Sequence, residues 1–453
     1  MSWYERLPRM LILRLRNIAS GKAVMSPAVA LLIIFLFPIG FANPNRSQSS
    51  AGNNAQLRST GWQQSAEPDS RRPRLESLIT SRETSGSLFE NVVTVLSKRY
   101  YDQRFRSDVL PGLVAQYEEK AKLLKGLREQ RELVEDFLSH IPASHLGLLS
   151  TRTHRYIMLD LEGRPYPTFG FQLVNLKGKF YAAFVLEGGP SQRAGLLSSD
   201  RVVSIDGIPT ERSPRLDWRS DDAYIPDDRD PPVHYLTAEQ GDAIHIEIER
   251  KEGKFLNLTI RAEDYSAFAA AKASSQIYKK DGRSIGYIHF WYIHLAGVPE
   301  LLVQQIEGEF RECDAFVLDL RGRGGNGAAI SKILDVLRNS AQSRHWPIVA
   351  LFDRQSRSAK DVLAYELKKT GLARLVGEPT CGAVIPASFA DVGFETILMF
   401  PSFKLPRYTD LLEFKPTSPD VYVERAGPLS AGNDTILEAG LVEALRLIKS
   451  RSK

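Results

Sequence analysis

Apolar residues recur along this chain with two different spacings, which together predict an α/β protein of several domains. Between residues 86 and 140 they return every three or four positions, as on the buried face of a helix. After residue 168, short apolar runs and apolar–polar alternation predict strands. A strand at 315–320, a helix at 330–337 and a strand at Ile348–Phe352 follow in an order that predicts a parallel crossover unit.

The first 84 residues follow a different pattern. Residues 1–42 combine a basic stretch, an apolar run and small residues, which predicts a secretory signal peptide or an N-terminal membrane anchor. The run is shorter than the ~20 residues that a membrane-spanning helix needs, and translation could also begin at Met25. Residues 43–84 are polar and predict a disordered linker, because they cannot bury enough apolar surface to offset chain entropy. We expect an exported protein, periplasmic or extracellular, that contacts a membrane only through an uncleaved N-terminal segment.

Composition describes an ordinary globular protein that is long enough for two or three domains. Of 453 residues, 43% are hydrophobic and 25% are charged, and the net charge of +5 is spread along the chain. The sequence has no basic helix with interleaved aromatic residues, so nucleic acid is not an expected partner. The two cysteines, Cys313 and Cys381, are too few for a disulfide framework or a four-ligand zinc site.

The first candidate for chemistry is a serine that follows the apolar strand Ile348–Phe352. Polar residues 353–357 form a loop after that strand, and Ser358 then leads into a helical pattern at 361–367. A serine in such a turn can present its hydroxyl at the N-terminal end of the helix. Unpaired N–H groups and the helix dipole favour a developing negative charge there. The alternative is that Ser356 or Ser358 merely caps the helix, since serine is a preferred N-cap residue.

The second candidate is a glycine-rich turn inside the crossover unit. It lacks the residue order of a phosphate-binding loop. Gly322, Gly324 and Gly327 satisfy the spacing G-x-G-x-x-G, but that motif alone is weak. The charged residues Asp319 and Arg321, which lead into the turn, are unusual for a dinucleotide site. A turn with a purely structural role is the remaining alternative.

These strings resemble a known family. S-x-S-A-x-D, followed by a helix and by L-V-G-E-P-T-x-G, resembles the core of the tail-specific (C-terminal processing) peptidase superfamily and places the nucleophile at Ser358. The resemblance extends over residues 86–425. It implies a crotonase-like (ClpP-like) ββα peptidase core at 276–450, preceded by a helical region at 85–165 and an inserted PDZ-like domain at 166–264. It implies neither a metal nor a cofactor.

The superfamily uses two kinds of general base, and the sequence resembles the tricorn-type branch more closely. In the C-terminal processing branch a lysine in T-F-G-K-G is the base, but Ala383 stands at that position and cannot accept a proton. Lys360 is a poor substitute because it lies only two residues beyond Ser358. In the tricorn-type branch the base is a loop histidine after the helices, which corresponds to His145 in H-I-P-A-S-H-L-G. The alternative for His145 is a loop histidine that makes one hydrogen bond.

The resemblance also implies a carboxylate and an oxyanion hole. The late motif E-G-x-G-V-x-P-D corresponds to Glu413, with its two glycines replaced, and Asp420 is the fallback. A surface carboxylate is the alternative for Glu413. In the turn that resembles D-L-R-x-x-x-G-G, the N–H of Gly324 or Gly325 would help to bind the oxyanion, and the N–H of Ala359 would be the second donor.

The PDZ-like resemblance depends on glycine-containing turns between residues 168 and 262. Phe169, Gly170 and Phe171 stand where PDZ domains place their carboxylate-binding loop, and D-R-V-V-S-I-D-G forms a strand that ends in a tight turn. Such domains bind an extended peptide by adding it as a strand to their sheet. The proline- and aspartate-rich stretch 214–232 predicts a solvated insertion.

The sequence therefore predicts an exported serine endopeptidase that hydrolyses peptide bonds of unfolded or tail-presented polypeptides. Ser358 would be the nucleophile, His145 the general base and Glu413 the group that orients the imidazole. The alternative function is that of a catalytically inactive relative, a scaffold that holds peptides or a small apolar ligand.

Overall fold

The computed structural model describes residues 79–82, 86–218, 231, 233–294 and 297–451. The predicted signal or anchor at 1–42, most of the predicted linker and the middle of the predicted insertion lie outside the described residues. Within the described ranges, no helix is both long and apolar enough to cross a membrane.

The linker prediction is wrong for four of its residues. Ile79–Arg82 form strand β1, which lies parallel to a later strand and pairs with it at Phe389 and Asp391. Composition did not reveal this strand because its hydrogen bonds come from a segment far along the chain.

Helices follow where the apolar spacing predicts them. They are α1 (Leu88–Arg99), a π-helical turn (Phe105–Val109), α2 (Leu110–Leu123) and α3 (Leu127–Ser139). Ser87 begins α1 with a capping box that involves Glu90. The apolar faces of these helices form one buried cluster, which also includes residues of a neighbouring sheet. Strand β2 (Gly147–Ser150) and helix α4 (Thr151–Glu162) come next.

An antiparallel sheet occupies the middle of the chain, and we call this part the antiparallel domain. Its strands are β4 (Gln172–Leu176), β5 (Lys179–Ala183), β6 (Arg201–Ile205), β7 (Ile208–Pro209), β8 (Val233–His234), β9 (Ala243–Lys251) and β10 (Lys254–Arg261). They lie in the order β10–β9–β6–β5–β4–β8, with β7 beside β6. A short helix α5 (Pro190–Arg193) follows β5. Where the chain enters and leaves the domain, β3 (Tyr166–Thr168) pairs with β11 (Glu263–Tyr265).

The second half of the chain forms a six-stranded sheet with helices on both faces. Its strands are β12 (Gln276–Lys280), β13 (Arg283–His289), β14 (Ala315–Asp319), β15 (Ile348–Phe352), β16 (Arg374–Gly377) and β19 (Val421–Tyr422), in that spatial order. All are parallel to their neighbours except β12. The helices are α6 (Ala267–Ser274), α7 (Val298–Glu307), α8 (Ile330–Arg344), α9 (Ala359–Thr370), α10 (Tyr408–Leu412) and α11 (Thr435–Arg451).

The central strands β14 and β15 are buried along their whole length. On one face, Leu318 shares a cluster with Ile333 of α8 and Leu363 of α9. On the other face, Val349 shares a cluster with Leu441 of α11. A strand that is covered on both faces reads as a continuous apolar run, which is why the sequence predicts these strands. The predicted parallel crossover between them is confirmed.

A four-stranded sheet carries the loop that contains His145. Strands β17 (Ala387–Asp391) and β18 (Thr396–Pro401) lie between β1 and β2 in the order β1–β17–β18–β2. β18 pairs antiparallel with β2, so that Leu149 lies opposite Ile397. Because β2 begins two residues after His145, this pairing holds the His145 loop against the part of the chain that follows α9.

Candidate active site

Ser358 lies in the turn between β15 and α9, where the sequence predicts it. It occupies the N-cap position of α9 with φ 59° and ψ −118°, a conformation that residues with a side chain rarely adopt. Its side chain makes no capping hydrogen bond. Its backbone N–H donates to Ala383 O at 2.8 Å. The capping interpretation is therefore wrong for Ser358, and the turn holds its half-buried hydroxyl at the start of a helix.

Ser356, the other serine of this turn, is completely buried and has a different environment. Its Oγ lies 3.0 Å from Leu320 O and 3.0 Å from Asp353 Oδ1. The N–H groups of Gly322 and Gln355 also donate to Asp353 Oδ1, each at 3.1 Å. Ser356 and Asp353 thus fasten the serine turn to the glycine-rich turn.

His145 adopts a positive φ of 55° and is 7% exposed. Its Nδ1 lies 3.0 Å from the hydroxyl of Ser144. Since a hydrogen bond at Nδ1 helps to fix the orientation of the ring, Ser144 contributes to the orientation of this imidazole. Ser144 was not among the predicted site residues, although a hydroxyl next to a candidate histidine is a sequence signal that could have identified it.

The Glu413 carboxylate links the His145 loop to the segment that holds Ser358. Its Oε1 accepts the N–H of Ser144 at 2.8 Å. Its Oε2 accepts the N–H groups of Val384 and Ile385 at 2.9 Å and 3.1 Å. Ala383 is the residue before Val384, and its carbonyl accepts the N–H of Ser358. Glu413 therefore connects the backbone of the His145 loop to the backbone next to Ala383, the residue that accepts the N–H of Ser358.

The fallback carboxylate, Asp420, lies elsewhere. Its Oδ2 accepts the N–H of Leu375 at 2.9 Å, and its Oδ1 lies 3.5 Å from Arg374 Nη1. These contacts place it near the amino end of β16, whereas Ser358 follows the carboxyl end of the neighbouring β15.

The glycine-rich turn approaches Ser358 at Gly324. A Cβ built on Gly324 would lie 2.9 Å from Ser358 Cβ and 2.9 Å from Arg357 O, so only glycine permits this approach. Gly325 has φ 154°, and a Cβ there would lie 2.4 Å from Ile293 O. Of the two glycines that the sequence left open, Gly324 is the one beside the serine.

The start of α9 contributes two further features. The N–H of Ala359 belongs to the first turn of the helix, where backbone N–H groups have no acceptor within the helix. Asp361 accepts the N–H groups of Gly382 and Ala383 at 2.8 Å and 3.1 Å. Burial raises the pKa of Asp361 to about 6, although these N–H groups favour its charged form. Asp361 thus holds the Ala383 loop against the helix that carries Ser358.

Charged residues brace the other end of the glycine-rich turn. Arg321 Nε lies 3.0 Å from Asp319 Oδ1, and Arg321 Nη1 lies 2.7 Å from Asp434 Oδ1. The hydroxyl of Tyr287 donates to Asp319 Oδ2 at 2.9 Å. Asp319 and Arg321, which are unusual for a dinucleotide site, form an ion pair in which the Asp319 carboxylate is completely buried. Among the described residues, no group of three or more His, Cys, Asp or Glu side chains could hold a metal ion.

The predicted peptide-binding loop lies inside the antiparallel domain. Phe169 and Phe171 are buried in its core. The N–H of Gly170 donates to Thr168 Oγ1 at 3.1 Å, and Gly170 O accepts the N–H of Leu186 at 2.9 Å. The neighbouring strand β4 is paired with β8 along its outer edge. The backbone of Gly170 and part of the outer edge of β4 thus already have partners within the chain, and peptide binding there stays a prediction.

Residues 331–423 match a family described as Peptidase family S41. The chain is 24% identical over 292 residues to the carboxyl-terminal-processing protease of Picosynechococcus sp., which covers 57% of this chain and 64% of that protein. It is 22% identical over 290 residues to the carboxy-terminal processing protease of Bacillus subtilis, which covers 58% and 55% respectively. The chain thus spans less than two thirds of the length of these curated relatives.

The chain is also similar to a number of solved structures, two of which follow. The photosystem II D1 C-terminal processing protease aligns with 77% of this chain and 97% of its own, at 16% identity and a TM-score of 0.48. The tricorn protease aligns with 81% of this chain and 36% of its own, at 15% identity and a TM-score of 0.43. At these TM-scores the alignments carry no conclusion about the site. The family match is confined to residues 331–423, and the similarity to the named relatives extends over somewhat more than half of this chain.

Proposed function

We propose that this protein is an exported serine endopeptidase in which Ser358 is the nucleophile and His145 is the general base. The observation that carries the proposal is the backbone of Ser358. It is held in a strained conformation at the N-terminus of α9, against Gly324, with a hydroxyl that does not cap the helix. Such strain persists only where the surrounding structure enforces it, and it is concentrated at functional sites.

The proposed reaction begins when His145 Nε2 takes the proton of the Ser358 hydroxyl. The oxygen attacks a peptide carbonyl, and the N–H groups of Gly324 and Ala359 donate to the resulting oxyanion. As the C–N bond breaks, His145 passes the proton to the leaving amine, and a water molecule then hydrolyses the acyl-enzyme in the same manner. The hydroxyl of Ser144 orients the imidazole through Nδ1. The Glu413 carboxylate positions Ser144 by accepting the backbone N–H of Ser144.

We further propose that the six-stranded sheet and its helices are a crotonase-like peptidase core, and that the antiparallel domain is PDZ-like. Support for the second proposal comes from β4, which follows the loop around Gly170 and lies second from the edge of its sheet. A polypeptide could add to β4 only if the two-residue strand β8 gave way, because β8 occupies that edge. The pattern of residues 1–42 supports export.

The cavity between the antiparallel domain and the six-stranded sheet gives little support to the alternative function, a scaffold that binds a small apolar ligand. The cavity measures about 300 Å³. Glu187 on its wall lies 2.7 Å from His289 Nδ1 and accepts the indole N–H of Trp291 at 2.6 Å. Arg321 and Arg425, also on the wall, are paired with aspartates. Paired charges and hydrogen-bonded polar groups do not suit a small apolar ligand.

Covalent labelling of the full-length protein with a fluorophosphonate probe tests the proposal, because the probe reacts only with an activated serine. We expect the natural protein to be labelled at Ser358. Ser358→Ala should lose the label, and His145→Ala should be labelled far more slowly. A natural protein that stays unlabelled, while it is folded and monodisperse, would contradict the proposal.

A further inference from the structure

The lysine that follows Ser358 by two residues is in an unusual place. Lys360 is the second residue of α9, and its side chain has no exposed surface. Lysine is almost never completely buried unless its charge is paired or hydrogen-bonded, because the transfer of a charge out of water is costly. A lysine at this position therefore needs partners for the N–H groups of its ammonium.

The ammonium group donates to three backbone carbonyls. Lys360 Nζ lies 2.7 Å from Phe290 O, 3.0 Å from Trp291 O and 2.8 Å from Arg321 O. An ammonium has three donors, and all three are used here. Two of the acceptors belong to the chain after β13, and the third belongs to the glycine-rich turn. One side chain thus connects the beginning of α9 to two segments that are distant in sequence.

These two segments also form the wall beside Ser358. Ile293, which comes two residues after Trp291, donates its N–H to Gly324 O at 3.1 Å and accepts the N–H of Asn326 at 2.7 Å. Gly324 in turn lies against Ser358. A displacement of Trp291 or Arg321 would therefore be transmitted within a few bonds to the predicted oxyanion donor.

The electrostatic surroundings of Lys360 are mixed. Burial lowers the pKa of Lys360 to about 7, while the negative charges of Asp353 and Asp319 act to raise it and Arg321 acts to lower it. Burial lowers the pKa of the nearby His294, and the charge of Lys360 lowers it further. The hydrogen bonds account for the position of the side chain better than a general-base role, because every donor points at a carbonyl.

We propose that Lys360 is a positioning residue, whose Nζ holds the Phe290–Trp291 and Arg321 carbonyls so that the N–H of Gly324 faces the oxyanion formed at Ser358. This inference rests on the proposed peptidase function. The contact acts on a group that is used in the transition state rather than in substrate binding. Its loss should therefore lower kcat and leave KM nearly unchanged.

The test compares Lys360→Met with Lys368→Met in the full-length protein. Methionine keeps most of the side-chain length but has no donor. Lys368 is a matched control, because it lies on the same helix and its Nζ donates to the carbonyl of Ser418 at 2.6 Å. We expect Lys360→Met to lower kcat per active site by about 10²-fold, as when one oxyanion donor is lost, and Lys368→Met to leave kcat unchanged.

Active-site titration with the fluorophosphonate probe separates positioning from stability. A purely structural role would reduce the fraction of protein that can be labelled and leave kcat per labelled site unchanged, which would overturn the inference. If Lys360→Met does not fold, Lys360→Gln, which retains two N–H donors, should give a smaller loss of kcat. Failure of both variants to fold would also overturn it. A natural protein that is not labelled at all would instead contradict the peptidase function itself.

Discussion

The turns that follow β14 and β15 leave similar strands but differ in how their polar groups are paired. The two strands are parallel neighbours, both are completely buried, and each is followed by a polar turn at the same edge of the sheet. After β14, the charged groups are paired, since Arg321 lies between Asp319 and Asp434. After β15, the hydroxyl of Ser356 is hydrogen-bonded to Asp353 and to Leu320 O, whereas the hydroxyl of Ser358 does not even cap the helix that it begins.

This difference shows how the fold prepares one hydroxyl for reaction. The paired charges and the Ser356–Asp353 hydrogen bonds hold both turns in fixed conformations. That rigidity allows Ser358 to keep a positive φ beside Gly324. A strained residue of this kind requires a surrounding structure that is stable enough to enforce it. Substitutions of polar residues in the two turns should therefore fall into two groups, those that lower stability and those that lower activity.

The largest expected effect distinguishes the two serines. Ser358→Ala should lower turnover of an unstructured protein substrate by about 10⁴-fold or more, with little change in Tm, because the hydroxyl makes no capping hydrogen bond. Ser356→Ala should retain far more activity but lose about 1–3 kcal/mol of unfolding free energy, since it leaves buried partners unsatisfied. Initial rates and Tm values of both variants check this. Equal activity losses in the two variants would contradict the comparison.

A smaller effect on activity is expected at the glycine-rich turn. Gly324→Ala places a Cβ at 2.9 Å from Ser358 Cβ, and we expect kcat to fall by about 10²- to 10³-fold as the oxyanion donor is displaced. Gly327→Ala is the control, because nothing lies within 4 Å of a Cβ there. Steady-state kinetics of the two variants make the measurement. Similar kcat values for both would show that Gly324 is not part of the oxyanion site.

The ion pair after β14 should affect stability. Arg321→Met leaves Asp319 buried without its cation, and we expect a loss of about 3–5 kcal/mol in the free energy of unfolding. Arg338→Met, which breaks an exposed pair with Asp335, should cost about 0–1 kcal/mol. Urea denaturation compares the two. Equal losses would mean that burial adds nothing to the first pair.

The same ion pair predicts a pH dependence. Burial alone would raise the pKa of Asp319, but Arg321 and His289 hold it well below its ordinary value. A lowered native pKa means that the unfolded chain binds the proton first. This contribution to stability is therefore complete above about pH 4 and lost as the pH falls further. In Arg321→Met, the free energy of unfolding should therefore decrease less as the pH falls below about 4, when it is measured by denaturation at several pH values. The same decrease in the variant and the natural protein would contradict the assignment.

The smallest effect concerns Asp361. Burial raises the pKa of its carboxyl group to about 6. Between about pH 4 and pH 6 the native protein retains a proton that the unfolded chain releases. The contribution of Asp361 to the free energy of unfolding therefore falls as the pH rises through this range. Asp361→Asn should remove that slope when unfolding is followed by urea denaturation at several pH values. A slope that persists in the variant would assign it to another group.

Sequence reasoning was most successful where one local segment determines the structure. The unbroken run Ile348–Phe352 and the helical pattern after Ser358 predict a strand, a turn and a helix, and all three are present. The choice between Gly324 and Gly325 needed coordinates, because a shift of one residue in a turn changes which backbone faces the serine. Strand β1 needed them also, since its hydrogen bonds come from β17.

Contacts between distant segments could not be predicted from the sequence. The family pattern assigned Glu413 to the imidazole, but its hydrogen bonds to Ser144 and Val384 depend on how the His145 loop meets the chain after α9. The sequence did not indicate a positioning role for Lys360, because nothing in its neighbours along the chain shows that it is buried. Its three carbonyl partners come from two segments that only the folded chain brings together.

The most direct test of the account is a crystal structure of the full-length protein after reaction with a fluorophosphonate. We expect phosphorus bonded to Ser358 Oγ and a phosphoryl oxygen about 2.7–3.1 Å from the backbone nitrogens of Gly324 and Ala359. His145 Nε2 should lie within hydrogen-bond distance of the adduct. A phosphoryl oxygen that points to solvent, with His145 turned away from the serine, would contradict the proposed site.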